Sequence, residues 1–152
     1  MNRASFPSPL GWITVTEEDG RVSRLKWGGI RLCDEATALL ADVGAQLAAY
    51  FDGQLKMFDV EMSFPSSAFQ HGVLESMMSI PFGSTKTYGE IADYVEGSAQ
   101  AVGNACGANP IPILIPCHRV LGANSLGGFS GSGGVESKVF LLRLEGAAGL
   151  LI

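Results

Sequence analysis

Alternating apolar and polar positions near the start of the chain predict a β-hairpin. Leu10 to Thr16 alternates with the period of two that is typical of a half-buried strand, and Val22 to Trp27 does so again. Between them, Glu17 to Gly20 supplies the acidic and glycine residues that favour a turn. We therefore expect two antiparallel strands joined by this turn.

A helical spacing of apolar residues follows the hairpin. From Asp34 to Asp52 the apolar side chains recur three and four positions apart, which predicts a helix. Leu55 to Met62 is predicted to be a further strand. The segment from Ser63 to Ser67 contains serines and a proline, and we interpret it as the linker between a small α/β half and a second half.

The second half is richer in helical patterns. The predicted helices cover Phe69 to Ile80, Tyr88 to Val95, Ser98 to Gly107 and Glu136 to Glu145. Thr87 directly precedes the second of these helices, and Glu90 is three residues after Thr87, which is the pattern of a capping box. Two short helices followed closely by a helix of small residues indicate a helix-turn-helix arrangement. An apolar strand is predicted over Ile111 to Ile115.

Composition and charge narrow the class of protein. Hydrophobic residues make up 47% of the 152 residues and mean hydropathy is +0.25, so a disordered chain is excluded. No apolar run has the roughly eighteen residues of a membrane helix, and the N-terminus lacks the pattern of a signal peptide. The cysteines Cys33, Cys106 and Cys117 are odd in number and widely spaced, which favours a reduced, cytoplasmic protein. The net charge of −5 argues against charge-driven, non-specific binding of nucleic acid.

The segment Pro116-Cys117-His118-Arg119-Val120 contains the clearest candidate chemistry. A thiol is nucleophilic only as the thiolate, and a neighbouring basic group lowers its pKa. Histidine is the usual base near neutral pH, and it works best when a third group orients its ring. A Cys-His pair on its own favours an inert, buried thiol, so the interpretation depends on its surroundings.

Those surroundings resemble the O6-alkylguanine-DNA alkyltransferases, also called methylated-DNA–protein-cysteine methyltransferases. The matching motifs are, in order, Ile80-Pro81-Phe82-Gly83, Thr87-Tyr88-Gly89, Ala101-Val102-Gly103, the block from Asn109 to Val120, Gly128-Phe129-Ser130-Gly131, and Lys138 with Leu141-Leu142 and Glu145. The resemblance implies an α+β fold. The implied domains are a small N-terminal α/β (ribonuclease H-like) domain over residues 1–63 and a C-terminal winged helix-turn-helix-like DNA-binding domain over residues 64–152.

The same resemblance implies DNA repair by direct reversal of damage. The alkyl group of O6-alkylguanine would move irreversibly to Cys117, once per protein molecule, with O4-alkylthymine left open as a second substrate. His118 would draw the thiol proton through a water, Glu145 would orient His118, and Asn109 would pin the turn that presents the thiol. This chemistry needs no metal and no organic cofactor.

Further site residues are implied for the flipped base and for the duplex. The implied substrate-binding residues are Tyr88, Val120, Phe129 and Ser130, and the implied DNA-binding residues are Gln100, Ala101, Gly103 and Arg119. The Tyr88 hydroxyl would donate to guanine N3, the Ser130 amide would address O6, and the Val120 carbonyl would accept from the guanine amino group. The expected partner is double-stranded DNA containing O6-alkylguanine, whose target nucleotide is flipped out, and the protein is expected to act as a monomer.

This chain departs from the family pattern in ways that leave an alternative open. Gln100 stands where the family usually has an arginine, and four basic against six acidic residues follow Ser66. The alternative is therefore a protein that binds alkylated DNA with weakened or absent transfer. A helix-turn-helix regulator and a Cys-His hydrolase explain fewer residues. Cys106 is interpreted as a packing residue. Lys138 is interpreted as part of a solvated helix start, although it stands at a family position that would allow it to support the active-site loop.

Overall fold

The computed structural model describes residues 1–29, 37–129, 131 and 133–147, and the chain folds as two units, Met1–Phe64 and Pro65–Ile152. The first unit contains an antiparallel sheet and one helix. Its elements are β1 (Asn2–Phe6), β2 (Ile13–Glu18), β3 (Arg21–Trp27) and α1 (Ala38–Phe51). The strand order is β1-β2-β3, so the predicted hairpin forms the β2–β3 pair.

The core side of this sheet follows the alternation seen in the sequence. Ile13, Val15 and Leu25 are buried, and Asp19 and Gly20 form the turn with positive φ angles. β1 was not predicted, because in this strand only Ala4 is buried and no apolar alternation marks it. Hydrogen bonding to β2, rather than burial, makes this segment a strand.

Helix α1 covers most of the helix predicted from Asp34 to Asp52, and residues 34–36 lie outside the described part of the chain. The strand predicted over Leu55 to Met62 is wrong: only Met62 pairs, through an isolated bridge to Val22. The Gln46 side chain instead binds both backbone groups of Asp59, donating to its carbonyl at 3.0 Å and accepting from its amide at 2.9 Å. An amide side chain thus replaces a neighbouring strand.

The second unit is mainly helical. Its elements are α2 (Ala68–Met78), β4 (Lys86–Thr87), α3 (Tyr88–Val95), α4 (Ala99–Gly107), a single 3₁₀ turn (Cys117–Arg119), β5 (Val120–Leu121) and α5 (Val135–Leu144). The capping box at Thr87 and Glu90 is present, so α3 begins where the sequence predicts. Glu96 ends α3 in the left-handed conformation, and the Ser98 side chain caps α4 two residues later, which forms the predicted helix-turn-helix.

The apolar segment Ile111 to Ile115 is a tight turn and not the predicted strand. The Ile115 amide donates back to the Ile111 carbonyl at 2.9 Å, and Ile113 has a φ of 73°. Prolines at 110, 112 and 116 remove the amide donors that a strand would need. The chain therefore reverses immediately before Cys117.

No helix within residues 1–29, 37–129 and 133–147 is long and apolar enough to cross a membrane.

Candidate active site

A short parallel strand pair brings the two ends of the candidate site together. β4 pairs with β5 so that Lys86 lies opposite Val120 and Thr87 opposite Leu121. Tyr88 directly follows β4, and the Cys117 turn directly precedes β5. Both side chains consequently line one cavity of about 470 Å³. Among the described residues, those that line the cavity are Tyr88, Gly103, Cys106, Gly107, Cys117, Gly128 and Phe129.

The Cys117 thiol is held in the wall of this cavity by the turn before it. Cys117 is buried, and burial raises the pKa of its thiol, while a hydrogen bond from Asn109 and the charge of Lys138 act to lower that pKa. The Asn109 side chain donates to the Ile115 carbonyl at 2.8 Å and accepts from the Ile111 amide at 3.0 Å. Asn109 therefore fixes the turn and contacts the thiol that the turn presents.

His118 and Glu145 form a buried pair behind Cys117. The imidazole Nε2 lies 2.7 Å from Glu145 Oε2, and because a carboxylate only accepts, Nε2 carries the proton. Burial lowers the pKa of His118, although the Glu145 hydrogen bond and charge act to raise it. The neutral ring therefore has its lone pair on Nδ1, which has no hydrogen-bond partner within the described residues. This nitrogen is free to receive a proton.

Arg119 is enclosed in the same cluster. Its guanidinium donates to Glu145 Oε1 at 2.7 Å and to Oε2 at 2.9 Å, and Nη1 donates to the Ile80 carbonyl at 2.7 Å. Its positive charge is among the causes that lower the pKa of His118, which keeps the imidazole neutral. The sequence interpretation placed Arg119 in contact with DNA, but its side chain is only 9% exposed and its donors face Glu145 and Ile80.

The prediction that Lys138 lies at a solvated helix start is wrong, whereas the alternative left open for it, support of the active-site loop, agrees with its contacts. Its side chain is fully buried, and its ammonium donates to the Val120 carbonyl at 2.6 Å and to the Gly128 carbonyl at 3.1 Å. Burial lowers the pKa of Lys138 to about 8. Its position in the family motif was the signal for that alternative. Lys138 ties β5 to the loop on the other side of the cavity.

Tyr88 presents a protonated hydroxyl to the cavity, since burial raises its pKa to about 12. Its ring lies 5.7 Å from the Lys138 ammonium. A Cβ at Gly127 would approach the Tyr88 hydroxyl to 2.9 Å, and Gly127 has a φ of +73°. Glycine is therefore required at position 127 on both counts.

The remaining predicted residues are distributed between the cavity and helix α4. Phe129 and Gly103 line the cavity, and Val120 contributes its carbonyl to Lys138. Gln100 is exposed at the start of α4, and Ala101 is half-buried beside it. Ser130 lies outside the described residues.

These features define an α+β protein in which a helix-turn-helix unit carries a buried Cys-His-Glu cluster beside an open cavity. Residues 1–64 match the family model described as "6-O-methylguanine DNA methyltransferase, ribonuclease-like domain". Residues 68–147 match the model described as "6-O-methylguanine DNA methyltransferase, DNA binding domain". The chain belongs to the 6-O-methylguanine DNA methyltransferase family, and the predictions of family and fold class are confirmed.

Individual relatives cover nearly the whole chain. A methylated-DNA–protein-cysteine methyltransferase of Mycobacterium tuberculosis is 41% identical over 150 residues, which span 93% of this chain and 90% of the relative. One from Methanosarcina acetivorans is 38% identical over 157 residues, spanning 97% and 99%. The crystal structure of Mycobacterium tuberculosis OGT in complex with DNA superposes with a TM-score of 0.83 at 36% identity, covering 97% of this chain and 94% of that one.

Proposed function

We propose that this chain repairs DNA by moving an alkyl group from O6 of guanine to the sulfur of Cys117. Family membership confirms the predicted activity of a DNA repair methyltransferase acting by direct reversal. The acceptor and the roles of its neighbours are our assignment. The observation that carries it is the Cys117 thiol in the cavity wall, next in sequence to a neutral imidazole with an unpartnered Nδ1.

The reaction is a single displacement. The Cys117 sulfur forms a bond to the alkyl carbon, and the bond between that carbon and guanine O6 breaks. The thiol proton passes through a water to Nδ1 of His118, and the resulting imidazolium is stabilised by Glu145. The Tyr88 hydroxyl, which stays protonated at neutral pH, donates to guanine N3 as negative charge develops on the leaving base. The thioether product cannot return to a thiol, so each molecule reacts once.

Two buried cations, Arg119 and Lys138, support this step without contacting the reacting atoms. Arg119 neutralises Glu145, so the carboxylate orients His118 without drawing a proton onto Nδ1 in advance. We therefore reassign Arg119 from DNA contact to positioning. Lys138 lowers the pKa of Cys117 and fixes the Val120 carbonyl, which we propose as an acceptor for the guanine amino group. Phe129 borders the alkyl group.

The proposed partner is double-stranded DNA that contains O6-alkylguanine. The residues of α4 proposed to meet the duplex are Gln100, Ala101 and Gly103, and the target nucleotide leaves the stack to reach Cys117. The second unit, which contains the helix-turn-helix and the cavity, is proposed to carry the reaction. We propose that the protein acts as a monomer in the cytoplasm, where its thiols stay reduced.

Intact-protein mass spectrometry after incubation with a duplex carrying one O6-methylguanine tests this assignment. We expect the protein to gain one methyl group in place of a hydrogen. Cys117→Ala should gain nothing, whereas Cys106→Ala, the matched change at the second cavity cysteine, should still gain it. Methylation of Cys117→Ala would refute the assignment of the acceptor.

The alternative function, binding of alkylated DNA with weakened or absent transfer, rests on Gln100. Glutamine can hydrogen-bond the orphaned partner base but brings no positive charge into the duplex. Transfer from the duplex and from free O6-benzylguanine should be compared in the natural protein and in Gln100→Arg. If the natural protein reacts only with the free base and Gln100→Arg reacts with both, the alternative is supported. Equal duplex rates in the two proteins would remove it.

A further inference from the structure

One face of helix α4 forms part of the cavity wall, and Cys106 is its main side chain. The three cavity residues from α4 are Gly103, Cys106 and Gly107, which are spaced three and four positions apart and so share a face. A Cβ at Gly103 or Gly107 would have no atom within 4 Å. The two glycines therefore leave open space, and the Cys106 thiol is the side chain that α4 directs to the wall.

Cys106 is placed near the reacting sulfur. Both cysteines line the same cavity. A charge on the Cys117 sulfur raises the pKa of Cys106, and a charge on either sulfur raises the pKa of Tyr88 beside them. Cys106 is itself buried, and its Sγ lies 3.5 Å from the Met77 sulfur, which holds the thiol in one orientation. A group attached to Cys117 therefore shares the cavity with the Cys106 side chain.

Cys106 is unsuited to be a second acceptor. Burial raises the pKa of both cavity thiols, so a neighbouring base must take the proton of either one, and for Cys106 the pKa is raised to about 12. Its hydrogen is directed to a thioether, which is a weak acceptor and no base. The contribution of Cys106 to the cavity is then its size and its polarizable surface.

We propose that Cys106 determines the size of the alkyl group that Cys117 accepts. This inference rests on the proposed function. The first carbon of any O6 substituent must reach the Cys117 sulfur, so a methyl group ends there. A longer substituent continues beyond that carbon into the space that the α4 wall bounds. Cys106 and the two glycines are small, so they leave space in the cavity beside α4. We infer that this space admits groups of benzyl size as well as methyl.

The test compares transfer rates from two duplexes, one carrying O6-methylguanine and one O6-benzylguanine. Cys106→Leu should lower the benzyl-to-methyl rate ratio about 10-fold or more, since the fit of one or two methylenes discriminates by roughly 10- to 200-fold. Cys106→Ala should raise the ratio, and Cys106→Ser, which keeps the volume, should leave it unchanged. Asn104→Leu introduces the same leucine on the exposed side of α4 and should also leave the ratio unchanged.

The outcomes separate this inference from the proposed function. A natural protein that transfers neither group refutes the proposed function. A natural protein that transfers methyl, with a ratio that Cys106→Leu and Cys106→Ala do not change, refutes the inference alone. If Cys106→Leu does not fold, as judged by its melting curve, the direction of the Cys106→Ala change decides: a raised ratio supports the inference and an unchanged or lowered ratio overturns it.

Discussion

At the scale of single residues, the proton on His118 is controlled by a competition between two buried charges. Glu145 accepts from Nε2 and favours the imidazolium, while Arg119 pairs with both oxygens of that carboxylate and opposes it. Burial of the ring has the largest effect and acts in the same direction as Arg119, so the pKa of His118 falls below its ordinary value of 6.5. The transfer rate of the natural protein should therefore hold at neutral pH and decline only below about pH 6.5.

Removal of the Arg119 charge should move this acid decline to higher pH. In Arg119→Met the freed Glu145 carboxylate pairs with a protonated His118, which then cannot accept the thiol proton. We expect transfer at pH 7 to fall by about 10- to 100-fold, which does not exceed the roughly 10²- to 10⁴-fold that a general base contributes, and to recover as the pH rises toward 9. Transfer rates measured from pH 5 to 9 test this.

Arg119→Lys is the control, since it keeps a cation near Glu145 and should keep the natural pH profile. A purely structural role for Arg119 would instead lower the rate of the methionine variant by the same factor at every pH.

Lys138 should cause the transfer rate to decline at alkaline pH. Its ammonium lowers the pKa of Cys117, and its own pKa of about 8 means that this support is lost above pH 8. The natural rate should decline there. Lys138→Met should be about 10- to 100-fold slower at pH 7 and lack the decline. Arg143→Met removes an exposed cation from the same helix and should behave as the natural protein does. A limb near pH 8 that persists in Lys138→Met would contradict this role.

The sequence indicated the residues that we propose to react better than the groups that surround them. Cys117, His118 and Glu145 were predicted from a motif, because the chemistry restricts which residue types can stand there. The solvated position of Lys138 and the DNA contact of Arg119 were wrong, because a charged side chain is ordinarily exposed and no local pattern marks these two as buried. Their burial depends on carbonyls of Val120, Gly128 and Ile80, which lie far away in the sequence.

At the scale of elements, the start of α3 couples local helix stability to the position of Tyr88. Thr87 caps α3 through the Glu90 amide at 3.1 Å and also pairs with Leu121 in the β4–β5 bridge. Thr87→Ala should lower stability by about 0.5–2 kcal/mol, and the melting temperature by about 2–4 °C per kcal/mol. It should also slow transfer, because Tyr88 is the next residue.

Ser67→Ala is the matched change, since Ser67 caps α2, which contributes no residue to the cavity wall among those described. It should destabilise the protein by a similar amount and leave the transfer rate unchanged. Equal effects of the two variants on transfer would show that Tyr88 is positioned independently of the cap.

Elements with local signals were predicted well, and those that depend on distant partners were not. α3 was predicted from its capping box and the β2–β3 hairpin from alternation and turn residues. The segment from Leu55 to Met62 looks like a strand, yet the Gln46 side chain satisfies its Asp59 backbone. The segment from Ile111 to Ile115 looks like a buried strand, yet prolines and Asn109 close it into a turn.

At the scale of the whole molecule, half of the basic residues of the second unit are buried around the candidate site and are not on the surface. The second unit has four lysine and arginine residues, and two of them, Arg119 and Lys138, are buried around Glu145 and Cys117. Only Lys86 and Arg143 remain at least partly exposed in that unit. With a net charge of −5, affinity for undamaged DNA should come from few phosphate contacts. The protein is therefore suited to recognise a damaged base more than the DNA backbone.

Alkylation of Cys117 should lower the stability of the whole second unit. The transferred group is added to a buried sulfur, beside the tight turn held by Asn109, and the thioether can no longer give a proton to His118. Overpacking of this kind costs about 1–3 kcal/mol, so the melting temperature should fall by about 2–4 °C for each kcal/mol. Melting curves before and after reaction with O6-methylguanine and O6-benzylguanine DNA measure this, with Cys117→Ala as the unreactive control.

The open cavity of about 470 Å³ acts against this destabilisation, because it offers space to the transferred group. An alkylated protein that melts at or above the temperature of the free protein would mean that the cavity accommodates the product fully, and that repair leaves the fold intact.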